Sequence, residues 1–123
     1  MLRPPGSSHP SRSEATIEAL SREVLRIHAR IYGCSPTSAA TTWDDGVIVC
    51  ALAGVLTTPE RSLVERGRFD RVREDRLALR DALEPTYRAL VETLTGLAVR
   101  SYMTDVSAED VAFEVFVLGT REA

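Results

Sequence analysis

The 123-residue sequence contains no lysine, no asparagine and no glutamine, and all 15 of its basic residues are arginine. That usage reads as the codon bias of a GC-rich genome. Cysteine is scarce, with two in the chain, so no disulfide framework is implied and a reducing cytoplasm is the expected setting. No apolar run approaches the roughly 20 residues that a membrane-spanning helix needs, so direct membrane insertion is not expected. The opening stretch, Met1 to Ser13, lacks the apolar core of a secretory signal. Motifs for cofactor chemistry are missing too. There is no Cys-x-x-Cys or His-x-x-x-His pair, no Gly-x-Gly-x-x-Gly, no phosphate loop and no nucleophile elbow. The expectation is therefore no metal site and no cofactor.

What is present describes one soluble globular domain: 44% hydrophobic residues, 27% charged residues and a net charge of −3. The charge is uneven. Residues 61–80 carry 7 arginines against 4 acids, whereas residues 81–123 carry 3 against 8. A solvated helical face accounts for such a run, and an anion or acidic-partner patch is the sharper alternative. Interleaved acids and the negative C-terminal third oppose nucleic-acid binding.

Residues 1–12 are rich in Pro, Ser and Gly and read as a tail, leaving a single domain over 13–120. Ser11 and Glu14 match a capping box. Ile17, Leu20, Val24, Ile27 and Ile31 then make one helical stripe that ends at Gly33. A β-tolerant stretch over 37–43 leads to the turn signal Asp44-Asp45-Gly46 and a doubly buried strand over 47–52. Thr57 or Thr58 caps a short helix carrying Pro59, which stops near Gly67. The spacing of Val72, Leu79, Leu83, Tyr87, Leu90 and Leu94 predicts one helix over about 70–95, kinked at Pro85. Strands over 97–104 and 111–118 close the chain, joined by a polar link over 105–110.

The expected class is α+β, in the order helix-strand-strand-helix-helix-strand-strand. Two helix–hairpin units, a pseudo-repeat, would form a four-stranded antiparallel sheet with helices packed on one face. Strands 47–52 and 111–118 are apolar on both faces, so helices on one side leave an apolar patch on the other. A homodimer is the expected remedy.

Six residues are candidates for ligand or partner binding. His28 lies on the apolar arc of the first helix, as a satisfied core histidine or a pH-sensing group. Arg76 lies at the centre of the long helix's apolar arc, where an unpaired guanidinium is costly. It must meet either an internal carboxylate or an external anion. Asp44, Asp45, Asp105 and Glu114 are the candidate partners, with Glu114 first because a strand acid among Val111, Phe113, Val115 and Phe116 needs a partner itself. Turn chemistry otherwise explains Asp44, Asp45 and Asp105. Neither cysteine is placed for catalysis, since Cys34 follows a helix C-terminus and Cys50 sits in an apolar strand.

Several segments together resemble the MpsC family of small bacterial proteins. They are Arg26-Ile27-His28, Tyr32 to Pro36, Asp44 to Val49, Leu52 to Glu60, Val91 to Gly96, Met103-Thr104-Asp105 and Glu114 to Leu118. The resemblance spans about 14–118. It departs from the family pattern at Cys34-Ser35 and Leu97-Ala98, where more basic residues, and a second Gly, are expected. It implies a small cytosolic protein attached to a Na+-translocating, membrane-potential-generating system tied to cation and bicarbonate uptake. The expected function is thus a non-enzymatic accessory or regulatory domain that partners membrane transport subunits. The alternative is a small-anion sensor or enzyme using Arg76, His28 and nearby carboxylates.

Overall fold

The computed structural model describes residues 12–119. The expected tail, the Ser11 half of the capping box and His9 lie outside the described residues. Eight elements follow in order: α1 (Arg12–Tyr32), β1 (Ser38–Asp44), β2 (Val47–Ala53), α2 (Thr58–Glu65), α3 (Phe69–Ala78), α4 (Arg80–Thr95), β3 (Val99–Ser107) and β4 (Val111–Leu118). The four strands form one antiparallel sheet in the order β1-β2-β4-β3. Two hairpins therefore meet along β2 and β4, and β1 and β3 are the edges.

The first hairpin closes as the sequence predicts. Asp45 (φ 49°) and Gly46 (φ 76°) are the two central residues, both in the left-handed region that a tight primed turn demands. The second hairpin turns over three residues, Ala108 to Asp110, with Asp110 at φ 70°. The two hairpins thus have different turns, and one helix precedes the first whereas three more precede the second.

Alternation along the strands sorts the side chains. Ile48, Cys50 and Leu52 on β2 are buried, as are Ala112, Glu114 and Phe116 on β4 and Tyr102 and Val106 on β3. They meet Leu20 and Val24 of α1, Val72 of α3, and Tyr87 and Val91 of α4 in one core. Tyr87, Tyr102 and Phe116 form an aromatic stack there, with ring centroids 5.6 Å and 5.3 Å apart along the series.

Three expectations need correction. The predicted helix over 70–95 is two helices, and the break is at Leu79 rather than at Pro85. The Leu79 N–H bonds back to the Arg76 carbonyl at 3.1 Å, a tight final turn that ends α3. Pro85 is accommodated inside α4. Arg76 of α3 meets Glu60 of α2, while Tyr87 of α4 belongs to the core and Leu83 packs against it. Second, β3 begins and ends later than 97–104, because Leu97 N–H is held by the Thr95 hydroxyl at 3.1 Å and pairing with β4 continues to Ser107. Third, Asp105 is consequently a strand residue paired with Phe113 rather than part of the turn.

Candidate functional site

Arg76 is 7% exposed near the end of α3, and its guanidinium organises the interior between α1, α2 and the sheet. Nε donates to Glu60 Oε2 at 2.7 Å and Nη2 donates to Glu60 Oε1 at 2.7 Å, a bidentate ion pair. Nη2 also donates to the Val55 carbonyl at 2.6 Å. Nη1 lies 3.0 Å from His28 Nε2. One face of the guanidinium covers the Tyr32 ring, 3.9 Å from its centroid. Arg76 therefore does meet an internal carboxylate, but the partner is Glu60, not Glu114.

Glu60 reaches this position because it belongs to the N-terminal cap of α2. The Thr57 hydroxyl accepts from Glu60 N–H at 3.3 Å, and Glu60 Oε1 accepts from Thr57 N–H at 2.9 Å. The same carboxylate thus closes one helix and neutralises a cation on another. Burial opposes its ionisation, but the Arg76 and Thr57 hydrogen bonds outweigh that and hold the carboxyl below its usual range.

Arginine has no acceptor, so His28 Nε2 must accept from Arg76. The imidazole is then neutral, with its proton on Nδ1. Nδ1 has no hydrogen-bond partner among the described residues, although the Cys34 backbone faces the ring. Burial and the Arg76 charge together push the His28 pKa down to about 4. Its ring also packs against Tyr32 one turn on, with centroids 4.5 Å apart.

Glu114 is 5% exposed on β4 and makes a separate set of contacts. The Tyr102 hydroxyl donates to Oε1 at 2.5 Å, and the Thr104 hydroxyl to Oε2 at 3.0 Å. In register it stands between Cys50 on β2 and Thr104 on β3, and Cys50 pairs with Thr41 on β1. The Thr41 hydroxyl donates to Cys50 Sγ at 3.4 Å and lies 2.7 Å from the Ser21 hydroxyl of α1. A polar row, Thr41–Cys50–Glu114–Thr104, thus crosses all four strands inside an otherwise apolar core.

His28, Arg76, Asp105 and Glu114 line one cavity with Tyr32, Tyr87 and Thr104, with about 20 Å³ of space for water. The structure brings those four candidates together. Asp44 and Asp45 sit at the β1–β2 turn, outside this group. Asp105 is half exposed, and its carboxylate takes two hydrogen bonds from Arg73, at 2.8 Å and 3.1 Å. Sequence reasoning missed Glu60, Tyr102 and Thr104. The Thr57-x-x-Glu60 pattern was the available signal for the first.

The arginine-rich segment is largely self-neutralised. Arg61 pairs with Asp110 at 2.9 Å, Arg71 with Asp75 at 3.4 Å, Arg73 with Asp105 at 2.8 Å and Arg80 with Asp81 at 2.7 Å. Among the described residues, no group of three or more His, Cys, Asp or Glu side chains could hold a metal ion. Nor is any helix among them long and apolar enough to cross a membrane.

A family model described as "Na+-translocating membrane potential-generating system (MpsC)" matches residues 13–120. No curated protein and no solved structure matches the chain.

Proposed function

The chain belongs to the MpsC family, and on that premise we propose that it is a cytoplasmic accessory domain of a Na+-translocating membrane system. It acts by binding other proteins, and it works as a homodimer. The observation that carries this reading is the sheet face turned away from the helices. Val47, Val49, Ala51 and Ala53 of β2 lie there beside Val111, Phe113, Val115 and Val117 of β4, with no charged residue of either central strand on this face. Phe113 is 40% exposed, and Met103 of β3, paired with Val115, is 49% exposed. An apolar surface of this kind on a small domain calls for a cover. A second copy brings an identical pair of apolar central strands, which a two-fold axis makes self-complementary.

Light scattering on the purified chain tests the dimer. The expected species has twice the 13.5 kDa chain mass, and Val115→Arg returns it to one chain mass. A stable single-chain species at micromolar concentration overturns it. For the accessory role, the test is co-expression with the membrane subunits of the system and purification in detergent. Retention of the chain, with Na+ transport lost when it is omitted, supports the reading. Full transport by the membrane subunits alone sinks it.

The small-anion alternative fits the geometry less well. The Arg76 charge is already met by Glu60 at 2.7 Å, Glu114 adds an acid to the same cavity, and about 20 Å³ is room for a water molecule rather than an oxyanion.

A further inference from the structure

Among the described residues, no counter-ion contacts Glu114. From β3, the Tyr102 and Thr104 hydroxyls donate to its two oxygens, and Asp105 borders the same cavity. From β2, the Cys50 thiol stands opposite in register. From α1 come His28 and Tyr32, and from α4 comes Tyr87, none carrying positive charge. From α3 comes Arg76, whose guanidinium is held in a bidentate pair by Glu60 of α2. Two hydroxyl donors are a partial substitute for a cation. A carboxylate that is 5% exposed and so placed is costly in its charged form. The cavity beside it has about 20 Å³ for water, enough to deliver or remove a proton.

We propose that Glu114 is a proton-binding site, filled and emptied through this cavity. Burial is the largest cause that raises the carboxyl, to about 7, against the opposing pull of Tyr102, Thr104 and the more distant Arg76 charge. On uptake, one proton passes from cavity water to a Glu114 oxygen, and no other bond changes. On release, an uncompensated charge appears where β3, β4, α3 and α4 meet, and the cavity must take in water to solvate it. The protonation state of one side chain therefore sets how tightly the two helices sit on the second hairpin. This inference stands apart from the dimer and from the accessory role, neither of which uses Glu114.

The test is a titration of the full chain with carboxyl-13C glutamate, followed by NMR between about pH 5 and 9. One glutamate resonance is expected to move with a midpoint near 7, and Tyr102→Phe, which removes a donor to the carboxylate, should shift that midpoint upward. Midpoints below about 5 for every glutamate would overturn the proposal, as would indifference of the neutral-range resonance to Tyr102→Phe. A second measurement compares melting temperatures of Glu114→Gln and the wild type across the same range. The amide mimics the protonated acid, so the variant should gain several degrees on the wild type as pH rises from about 5 to 8. His28 contributes equally to both proteins and cancels. A difference that stays constant with pH would also overturn the proposal.

Discussion

The Glu60 carboxylate grips the Arg76 guanidinium with two hydrogen bonds of 2.7 Å while its Oε1 also accepts the backbone N–H of Thr57. One acid thereby ties the start of α2 to the end of α3. Removing either member of such a buried pair strands the other, at a cost of about 3–5 kcal/mol. Arg76→Met and Glu60→Gln should each lower unfolding stability on that scale in urea titrations. The double variant should lose less than the sum of the two.

Thr57→Ala tests the cap alone. It removes the hydroxyl that accepts from Glu60 N–H and should cost about 1 kcal/mol. A loss as large as that of Glu60→Gln would mean that the cap, rather than the ion pair, carries Glu60's contribution.

His28 and Glu114 act oppositely on stability as pH changes. The folded His28 pKa is depressed to about 4. Its contribution is fully present above about 6.5 and is lost as pH falls toward 4. The folded Glu114 pKa is raised to about 7. Its contribution is present below the ordinary glutamate value and is lost as pH rises through 7. The two slopes offset each other between about pH 4.5 and 6.5, so the wild-type stability should be nearly flat there. Glu114→Gln should expose the histidine limb as a steady loss on acidification, measurable by denaturation at several pH values.

The two thiols should differ in reactivity. Cys50 is fully buried on β2, and burial pushes its pKa up to about 11, whereas Cys34 is partly exposed. A thiol reagent at neutral pH should label Cys34 in the native protein and reach Cys50 only on unfolding. Rapid native labelling of both would contradict the burial of the polar row.

Gly54 has φ +72°, and a Cβ there would lie 2.6 Å from Thr37 Oγ1. Gly54→Ala combines a left-handed backbone with that clash, and should cost about 2–3 kcal/mol in a urea titration.

The interior placement of Arg76 was legible in the sequence, because it sits between Val72 and Leu79 on a helical arc. Its partner was not. Glu60 lies on another helix, and its approach depends on the short link between α2 and α3, where Gly67 takes φ 74°. Glu114 announced itself as an acid within an apolar strand. Tyr102 and Thr104 became its neighbours only through the β3–β4 register, and a strand placed two residues early conceals that register. Asp105 read as a turn residue for its polarity, although backbone pairing with Phe113 decides its place. The Asp45-Gly46 turn was the easiest to read, because its demand for positive φ is met by local chemistry alone.

The row Thr41–Cys50–Glu114–Thr104 also serves as an alignment key. A slip of one residue by β4 would turn Glu114 onto the outer face and Phe113 and Val115 inward, leaving the Tyr102 and Thr104 hydroxyls with nothing to bind. A slip of two would set the acid opposite Ile48 or Leu52. Oily side chains alone tolerate many near-equivalent alignments, since valine beside valine is much the same one step along. Four polar groups that find partners in a single arrangement do not, and they exclude the shifted sheets that the apolar strands would otherwise accept.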